Sequence, residues 1–266
     1  MAWHRAMGLL LGMVLTACGG PVDDDNVEVT ATLDDDTEDE AALQGGRTTR
    51  AYRAVGLLMA ESGSFCTGTL IRHDVVLTAA HCVDEPLDAF YIGHGRALTD
   101  AERATQGPGR ALENMRAYAV VEQVMHPDYE PMACGTTPDL ALVRLLEPVG
   151  DVNPMAIASS EAAYPGRVCR AVGFGAHGKG SSKTSLRKRS GKEVIVDVTE
   201  TAVDVRAEDA LADHGDSGGP LLCGRRIAGV TSCGPDGSWR TRSVSYARPD
   251  MESAWMTEVL SSWEPE

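Results

Sequence analysis

From residue 43 onward the chain runs in short apolar stretches separated by Gly, Pro and Asp. Residues 54–59, 65–71, 75–79, 120–125, 140–145, 168–174, 194–198 and 227–231 read as β-strands. They are too short for helices, are bounded by turn residues, and many are rich in Val, Leu and Ile. Only the end of the body reads as helical, with Met251, Trp255 and Val259 recurring every four residues after Pro249 and Asp250 as a candidate cap. Two polar stretches, 99–116 and 177–192, read as loops. The second carries Lys179, Lys183, Arg187, Lys188, Arg189 and Lys192, a basic run expected to be solvated rather than to hold an anion. The pattern predicts an all-β body.

The first 42 residues are different in kind. His4 and Arg5 precede the apolar run 7–17, which is too short to span a bilayer as a helix and reads as an export signal. Its end, Leu15-Thr16-Ala17-Cys18, resembles a bacterial lipobox, in which the signal is cut before a cysteine that then carries lipid. An ordinary secretory signal is the alternative, and both place the body outside the cytoplasm. Residues 19–42 hold ten Asp or Glu and no Lys or Arg, and they lack the apolar mass to fold. They read as an acidic linker or propeptide, with a reach on the order of 25 to 30 Å as a flexible coil. The formal charge of -15 therefore belongs mostly to this tail: removing its -10 and the +1 of Arg5 leaves -6 for the body. An acidic chain without clustered Lys and Arg is not expected to bind nucleic acid.

Seven cysteines is an odd number, and an exported chain needs another use for one of them. Lipidation at Cys18 would supply it, leaving Cys66, Cys82, Cys134, Cys169, Cys223 and Cys233 for three bridges in an oxidising compartment. The cysteines lack zinc-type pairs and the histidines lack a paired helical spacing, so neither a metal nor another cofactor is expected.

Three short motifs carry the chemistry. In Gly215-Asp216-Ser217-Gly218-Gly219-Pro220 a serine is flanked by glycines, which permit backbone conformations that other residues resist. In Leu77-Thr78-Ala79-Ala80-His81-Cys82 a histidine, able to take and return a proton near neutral pH, follows an apolar strand. In Asp139-Leu140-Ala141-Leu142-Val143-Arg144-Leu145 an aspartate stands at the mouth of an apolar strand, where a buried carboxylate could orient an imidazole. Singly these read equally as a turn, an ordinary histidine and a strand-start aspartate. Together, in the order His, Asp, Ser, they point to nucleophilic acyl transfer.

The three motifs resemble the trypsin and chymotrypsin family of serine proteases, over about residues 43–263. The segments His126-Pro127-Asp128-Tyr129 and 169–175 add to the likeness. The resemblance implies two packed six-stranded antiparallel β-barrels with a short C-terminal helix and an active site between the barrels. It implies catalysis by His81, Asp139 and Ser217, with an oxyanion hole from the amides of Gly215 and Ser217. Bridges Cys66 to Cys82 and Cys169 to Cys223 follow from it. The family's bridge beside the nucleophile is missing, since Asp213 stands where a cysteine would be, and Cys134 is expected to pair with Cys233.

By the same resemblance a protease domain (43–266) follows the export signal (1–18) and the acidic linker or propeptide (19–42). Cleavage after Ala42 would free the amino group of Leu43 to pair with Asp216, and would call for an activating protease as partner. In the substrate pocket, Leu211 stands where trypsin-like relatives place an acid and Val244 where a glycine often lies. An apolar, partly filled pocket favouring small or aliphatic side chains is expected, with Ser232 and Gly234 contacting an extended protein or peptide substrate. The only membrane contact expected is the lipid on Cys18. The protein would be a cell-envelope lipoprotein, the outer membrane being favoured, or secreted after processing. The competing reading is a catalytically silent surface-binding protein on the same fold.

Overall fold

A computed structural model describes residues 43–96, 112–175, 186–234 and 243–264. β1 (Arg47–Thr48) leads into a closed barrel of β2 (Val55–Ala60), β3 (Phe65–Arg72), β4 (Val75–Thr78), β5 (Leu87–Gly93), β6 (Met115–Met125) and β7 (Ala141–Leu145), in the order β2-β3-β4-β7-β6-β5. A second group holds β8 (Val168–Gly173), β9 (Arg189–Val198), β10 (Ala202–Ala207), β11 (Pro220–Cys223), β12 (Arg226–Cys233) and β13 (Ser243–Ala247). Its order is β9-β10-β13-β12-β11-β8, and pairing of β8 with β9 closes it. Neighbouring strands within both barrels are antiparallel, and β1 pairs with the start of β9. The architecture is thus two six-stranded antiparallel barrels and the C-terminal helix α1 (Ser253–Ser262).

Each barrel has its own apolar filling, Leu58, Leu70, Val76, Phe90 and Val143 in the first and Leu43, Ile195, Val203, Leu221 and Tyr246 in the second. A third cluster joins Leu57, Leu77 and Leu142 of the first barrel to Val172, Leu222 and Ile227 of the second. Burying apolar area on both sides of this contact fixes the barrels against each other, at about 25 cal/mol per Å² removed from water. Two glycines make room for aromatic filling. A Cβ on Gly56 would lie 2.5 Å from the Phe90 ring, and one on Gly229 would lie 2.7 Å from the Tyr246 Cβ.

Three disulfides link Cys66 to Cys82, Cys134 to Cys233 and Cys169 to Cys223. In the chain-entropy account a closure like Cys66–Cys82 contributes ~3 kcal/mol and a long one like Cys134–Cys233 about 4.7 kcal/mol. The long bridge ties the segment ahead of β7 to the end of β12, one from each barrel.

All eight stretches expected to be strands fall in strands, and five further strands were not foreseen: β1, β5, β10, β11 and β13. These are short or carry charge, as in Leu-Asp-Ala-Phe-Tyr-Ile-Gly of β5 and Ala-Val-Asp-Val-Arg-Ala of β10, so local pattern is weak and barrel closure supplies the pairing. The polar stretch at 99–116 ends in β6, which starts at Met115; its residues 99–111 lie outside the described residues. The basic stretch needs a larger correction. Residues 177–185 lie outside the described residues, but Lys188 and Arg189 are each only 2% exposed and β9 begins at Arg189. Lys188 Nζ donates to the Tyr52 carbonyl at 3.0 Å and lies 5.7 Å from the Phe174 ring centre, and Arg189 donates to the Gly46 carbonyl. The helix cap is also corrected: Glu252 occupies the cap position of α1, while Asp250 pairs with Arg248 at 2.6 Å. Among the described residues no helix is long and apolar enough to cross a membrane.

Burial, with the nearby charge of Arg53, pulls the Lys188 ammonium down to about 7. A lysine depressed in the folded state is neutral in both states above its ordinary 10.5, and stability falls as pH drops from there toward 7 because the unfolded chain takes up the proton first. Lys188→Met should therefore be at least as stable as the parent near neutral pH, with an advantage that shrinks as pH rises toward 10.5. Urea unfolding at a series of pH values measures this. An advantage that grows with pH would contradict it.

Candidate active site

His81 stands in a short 3-10 turn, Ala80–Val83, immediately after β4. The turn is pinned by the Cys66–Cys82 bridge, which ties its second half back to β3. Asp139 lies two residues ahead of β7, 6% exposed. Because β4 and β7 are neighbours, paired from Val75↔Arg144 to Thr78↔Ala141, the histidine and the aspartate emerge at the same end of the sheet. His81 Nδ1 meets Asp139 Oδ2 at 2.7 Å, and the His81 amide donates to Oδ1 at 3.0 Å. A third donor comes from the second barrel: Ser232 Oγ of β12 donates to Asp139 Oδ2 at 2.6 Å. Sequence reasoning assigned Ser232 only to substrate contact. Its hydroxyl bond to Asp139 had no local signal, since it depends on how the barrels pack.

Burial alone would raise the Asp139 carboxyl, but the hydrogen bonds and charge of His81 and the Ser232 hydroxyl outweigh it and hold the group below its usual 3.8. For His81, burial pulls the imidazole down, while the hydrogen bond and charge of Asp139 and the charge of Asp84 push it up, and the net shift is upward from 6.5. With Nδ1 committed to Asp139, Nε2 is the nitrogen left for proton transfer.

Ser217 sits in the loop before β11, wedged against the first barrel. The Thr67 amide of β3 donates to the Ser217 carbonyl at 2.8 Å, and Thr67 Oγ1 donates to the Gly215 carbonyl at 2.9 Å. Gly215 and Gly218 have φ of 89° and 78°, the left-handed region that favours glycine. A Cβ on Gly218 would lie 2.1 Å from Thr78 Oγ1 and 2.3 Å from the Thr67 carbonyl oxygen, so this close fit excludes any side chain. Among the described residues, neither the Gly215 nor the Ser217 amide ends on a protein acceptor. Such amides are available to an incoming oxyanion.

Behind this loop Asp216 is 1% exposed and accepts from the amides of Gly175 and Asp213 at 2.8 and 2.9 Å. Burial pushes its carboxyl up to about 7, opposed by the two amides. Leu43 is fully buried among Ala210, Leu211 and Ala212, and Gln44 pairs with Leu211 and donates from Nε2 to Asp213 at 2.9 Å. Leu211 and Val244 both belong to the apolar filling of the second barrel. Gly234 ends the described part of that wall, and residues 235–242 lie outside it.

Beside His81 a cavity of about 350 Å³ is lined by Phe65, the Cys66–Cys82 bridge, Asp84, Glu85 and Leu87. Ser62 and Ser64 hold the Glu85 carboxyl below its usual range. Cys66, His81 and Cys82 lie close enough to suggest metal ligation, but the two sulfurs are joined to each other and offer no thiolate.

Two barrels, with a histidine and a buried aspartate at their junction and a glycine-flanked serine loop packed against β3 and the end of β4, have the architecture of a serine-type hydrolase. The family model described as Trypsin matches residues 43–255, and the chain belongs to that family of serine endopeptidases. Cathepsin G of Mus musculus is 30% identical over 218 residues, covering 74% of this chain and 78% of that protein. Granzyme M of Rattus norvegicus is 26% identical over 252 residues, covering 85% and 92%. In fold, the chain is similar to mouse neuropsin, described as a serine protease, with a TM-score of 0.65 at 21% identity over 81% of this chain and 98% of that one. Human heparin binding protein has a TM-score of 0.64 at 21% identity, covering 84% and 98%.

Activity that needs a neutral His81 should rise with pH through a midpoint above 6.5, because Asp139 and Asp84 hold the imidazole proton. Asp84→Asn should lower that midpoint by a fraction of a unit. Measuring kcat/KM against pH for both proteins tests this, and a midpoint that does not move removes Asp84 from the electrostatics of the site.

Proposed function

We propose that Ser217 is the nucleophile, His81 the general base and acid, and Asp139 the group that orients His81. The single observation that carries this is the Asp139 carboxylate accepting from the His81 ring and amide and from Ser232. In this reading Ser217 Oγ attacks the peptide carbonyl carbon while its proton passes to His81 Nε2. The carbonyl oxygen, now negative, turns to the Gly215 and Ser217 amides. The C–N bond then breaks, His81 returns the proton to the leaving amine, and water repeats the sequence to free the acid and restore Ser217. Each oxyanion donor is worth roughly 3 to 4 kcal/mol of barrier in such sites.

Two features support a substrate preference. Leu211 and Val244 are apolar and buried, which favours small or aliphatic side chains before the scissile bond. Asp84 and Glu85 line the cavity beside His81, which favours a basic side chain after it.

The processing scheme rests on the buried seat of Leu43 next to the Asp216 loop. Cleavage after Ala42 would give Leu43 a free amino group, a cation for a carboxylate that burial otherwise penalises. If Cys18 carries lipid, the same cut would part the protease domain, 43–266, from its anchor in the cell envelope. The three disulfides fit an exported domain.

The test is N-terminal mass spectrometry of the native protein with and without fluorophosphonate treatment. Protein that begins at Leu43 and is labelled on Ser217 is the expected result. Protein that begins at Leu43 and takes no label would overturn the assigned nucleophile and leave a silent binding protein of this fold. Asp139→Asn should lower kcat by about 10⁴ in steady-state assays. Asp216, raised from 3.8 to about 7 in the uncut chain, contributes stability that is full below 3.8 and lost as pH rises through about 7. Cut protein should be spared that loss, and unfolding of both forms across this range measures it.

A further inference from the structure

Glu193 of β9 is fully buried in the second barrel, and the proton transfers assigned above make no use of it. Its Oε1 accepts from the Ala212 amide at 2.8 Å and its Oε2 from the Tyr246 hydroxyl of β13 at 2.7 Å. Ala212 lies between Leu211 and the nucleophile loop, in a segment with no regular structure. Three successive amides of that segment are held by three separate anchors: Leu211 by the Gln44 carbonyl at 3.0 Å, Ala212 by Glu193, and Asp213 by Asp216 at 2.9 Å. The three amides before them, of Glu208, Asp209 and Ala210, converge on the Lys192 carbonyl, next to Glu193 in the chain. No disulfide touches this segment, since the six bridged cysteines lie elsewhere. Its amides are fixed by these polar contacts while Ala210, Leu211 and Ala212 pack into the apolar filling, and a buried acceptor that loses its donors costs about 1 to 3 kcal/mol.

The contact reaches further than one amide. Tyr246 stands opposite Thr231 where β13 pairs with β12, and Thr231 Oγ1 donates to the Gly219 carbonyl at 2.9 Å, two residues from Ser217. Hydrogen bonds thus join the Ala212 wall to Glu193 and Tyr246, and the strand pairing sets Tyr246 beside the Thr231 that holds the nucleophile loop.

We propose that Glu193 is a positioning residue of this peptidase: its buried carboxyl group sets the Ala212 wall of the substrate pocket and couples that wall to Tyr246. The proposal rests on the peptidase reading of Ser217, His81 and Asp139. The groups that face Glu193 are Tyr246 from β13 and Asp216 from the nucleophile loop. Opposite it in the sheet stand Ala207 and the disulfide-bonded Cys169, which bring no charge. Burial pushes the Glu193 carboxyl up to about 8; the Tyr246 and Ala212 hydrogen bonds oppose this and the Asp216 charge adds to it. Below that pH the group keeps its proton, and above it a second negative charge appears near Asp216 where charge is costly. Water or a shift of the wall relieves that charge, so substrate binding weakens on the alkaline side.

The experiment uses the full chain processed to begin at Leu43, as parent, Glu193→Gln and Glu193→Ala. Hydrolysis of a peptide anilide with valine before the scissile bond is followed across pH 6 to 9.5, with fluorophosphonate labelling as the control on the nucleophile. The parent should show KM rising roughly tenfold from neutral to alkaline pH, and Glu193→Gln, uncharged but able to accept from Ala212, should show a clearly smaller rise, the remainder coming from loss of the Leu43 ammonium opposite Asp216. Glu193→Ala should raise KM about tenfold at neutral pH while kcat and the labelling rate stay within about threefold. A Glu193→Gln enzyme that keeps the parent's alkaline rise in KM would overturn the proposal, as would an unchanged KM in Glu193→Ala. If Glu193→Ala does not fold, the Gln variant decides alone. A parent protein that neither labels nor cleaves would overturn the assignment of Ser217 instead.

Discussion

The Asp139 carboxylate is the point at which the two barrels become one site. It leaves the first barrel just ahead of β7, and of its three donors two come from His81 beside it and one from Ser232 on the second barrel. A buried carboxylate is tolerated only when its oxygens are met by donors, so this group requires a defined distance between barrels that have separate apolar fillings. The shared cluster from Leu77 to Ile227 supplies the adhesion, and Asp139 supplies the registration. A slip of either barrel would strand a charge away from water, which is more costly than the loss of a few apolar contacts.

In the second barrel Asp216 and Glu193 are more deeply buried still, and each is bonded to a backbone amide, of Asp213 and of Ala212. Both are pushed upward by burial, whereas Asp139 is held down, and the difference is the imidazole beside it. Buried carboxyl groups of one chain are thereby set apart: one is held low against a histidine ring, and two are raised while they hold backbone amides. The glycines around them follow from the same crowding. A Cβ on Gly173 or Gly175 would lie 2.1 or 2.5 Å from the Asp216 carboxyl group.

The strands that local pattern revealed, such as β3, β7 and β12, carry continuous buried runs, because each buries successive residues without help from its neighbours' sequence. The strands it missed, β5 and β10 among them, alternate polar and apolar residues within a few positions and are strands because the barrel must close. Lys188 and Arg189 misled for a related reason. Charge in a polar stretch normally means solvent, yet here long side chains are drawn inward where the Tyr52 and Gly46 carbonyls accept from them.

The sequence by itself determined the chemistry available: a serine among glycines, a histidine after one apolar strand and an aspartate before another, in an order that narrows the class of reaction. These are local facts, set by residue type and by the conformations glycine alone permits. Only the tertiary structure decided what surrounds that chemistry. It brought Ser232 to Asp139 across 93 positions and Glu193 to Ala212 across 19, and seated Leu43 beside the pocket wall. Such partners leave no trace in local pattern, because a hydrogen bond between distant segments depends on packing, and packing is a property of the whole chain.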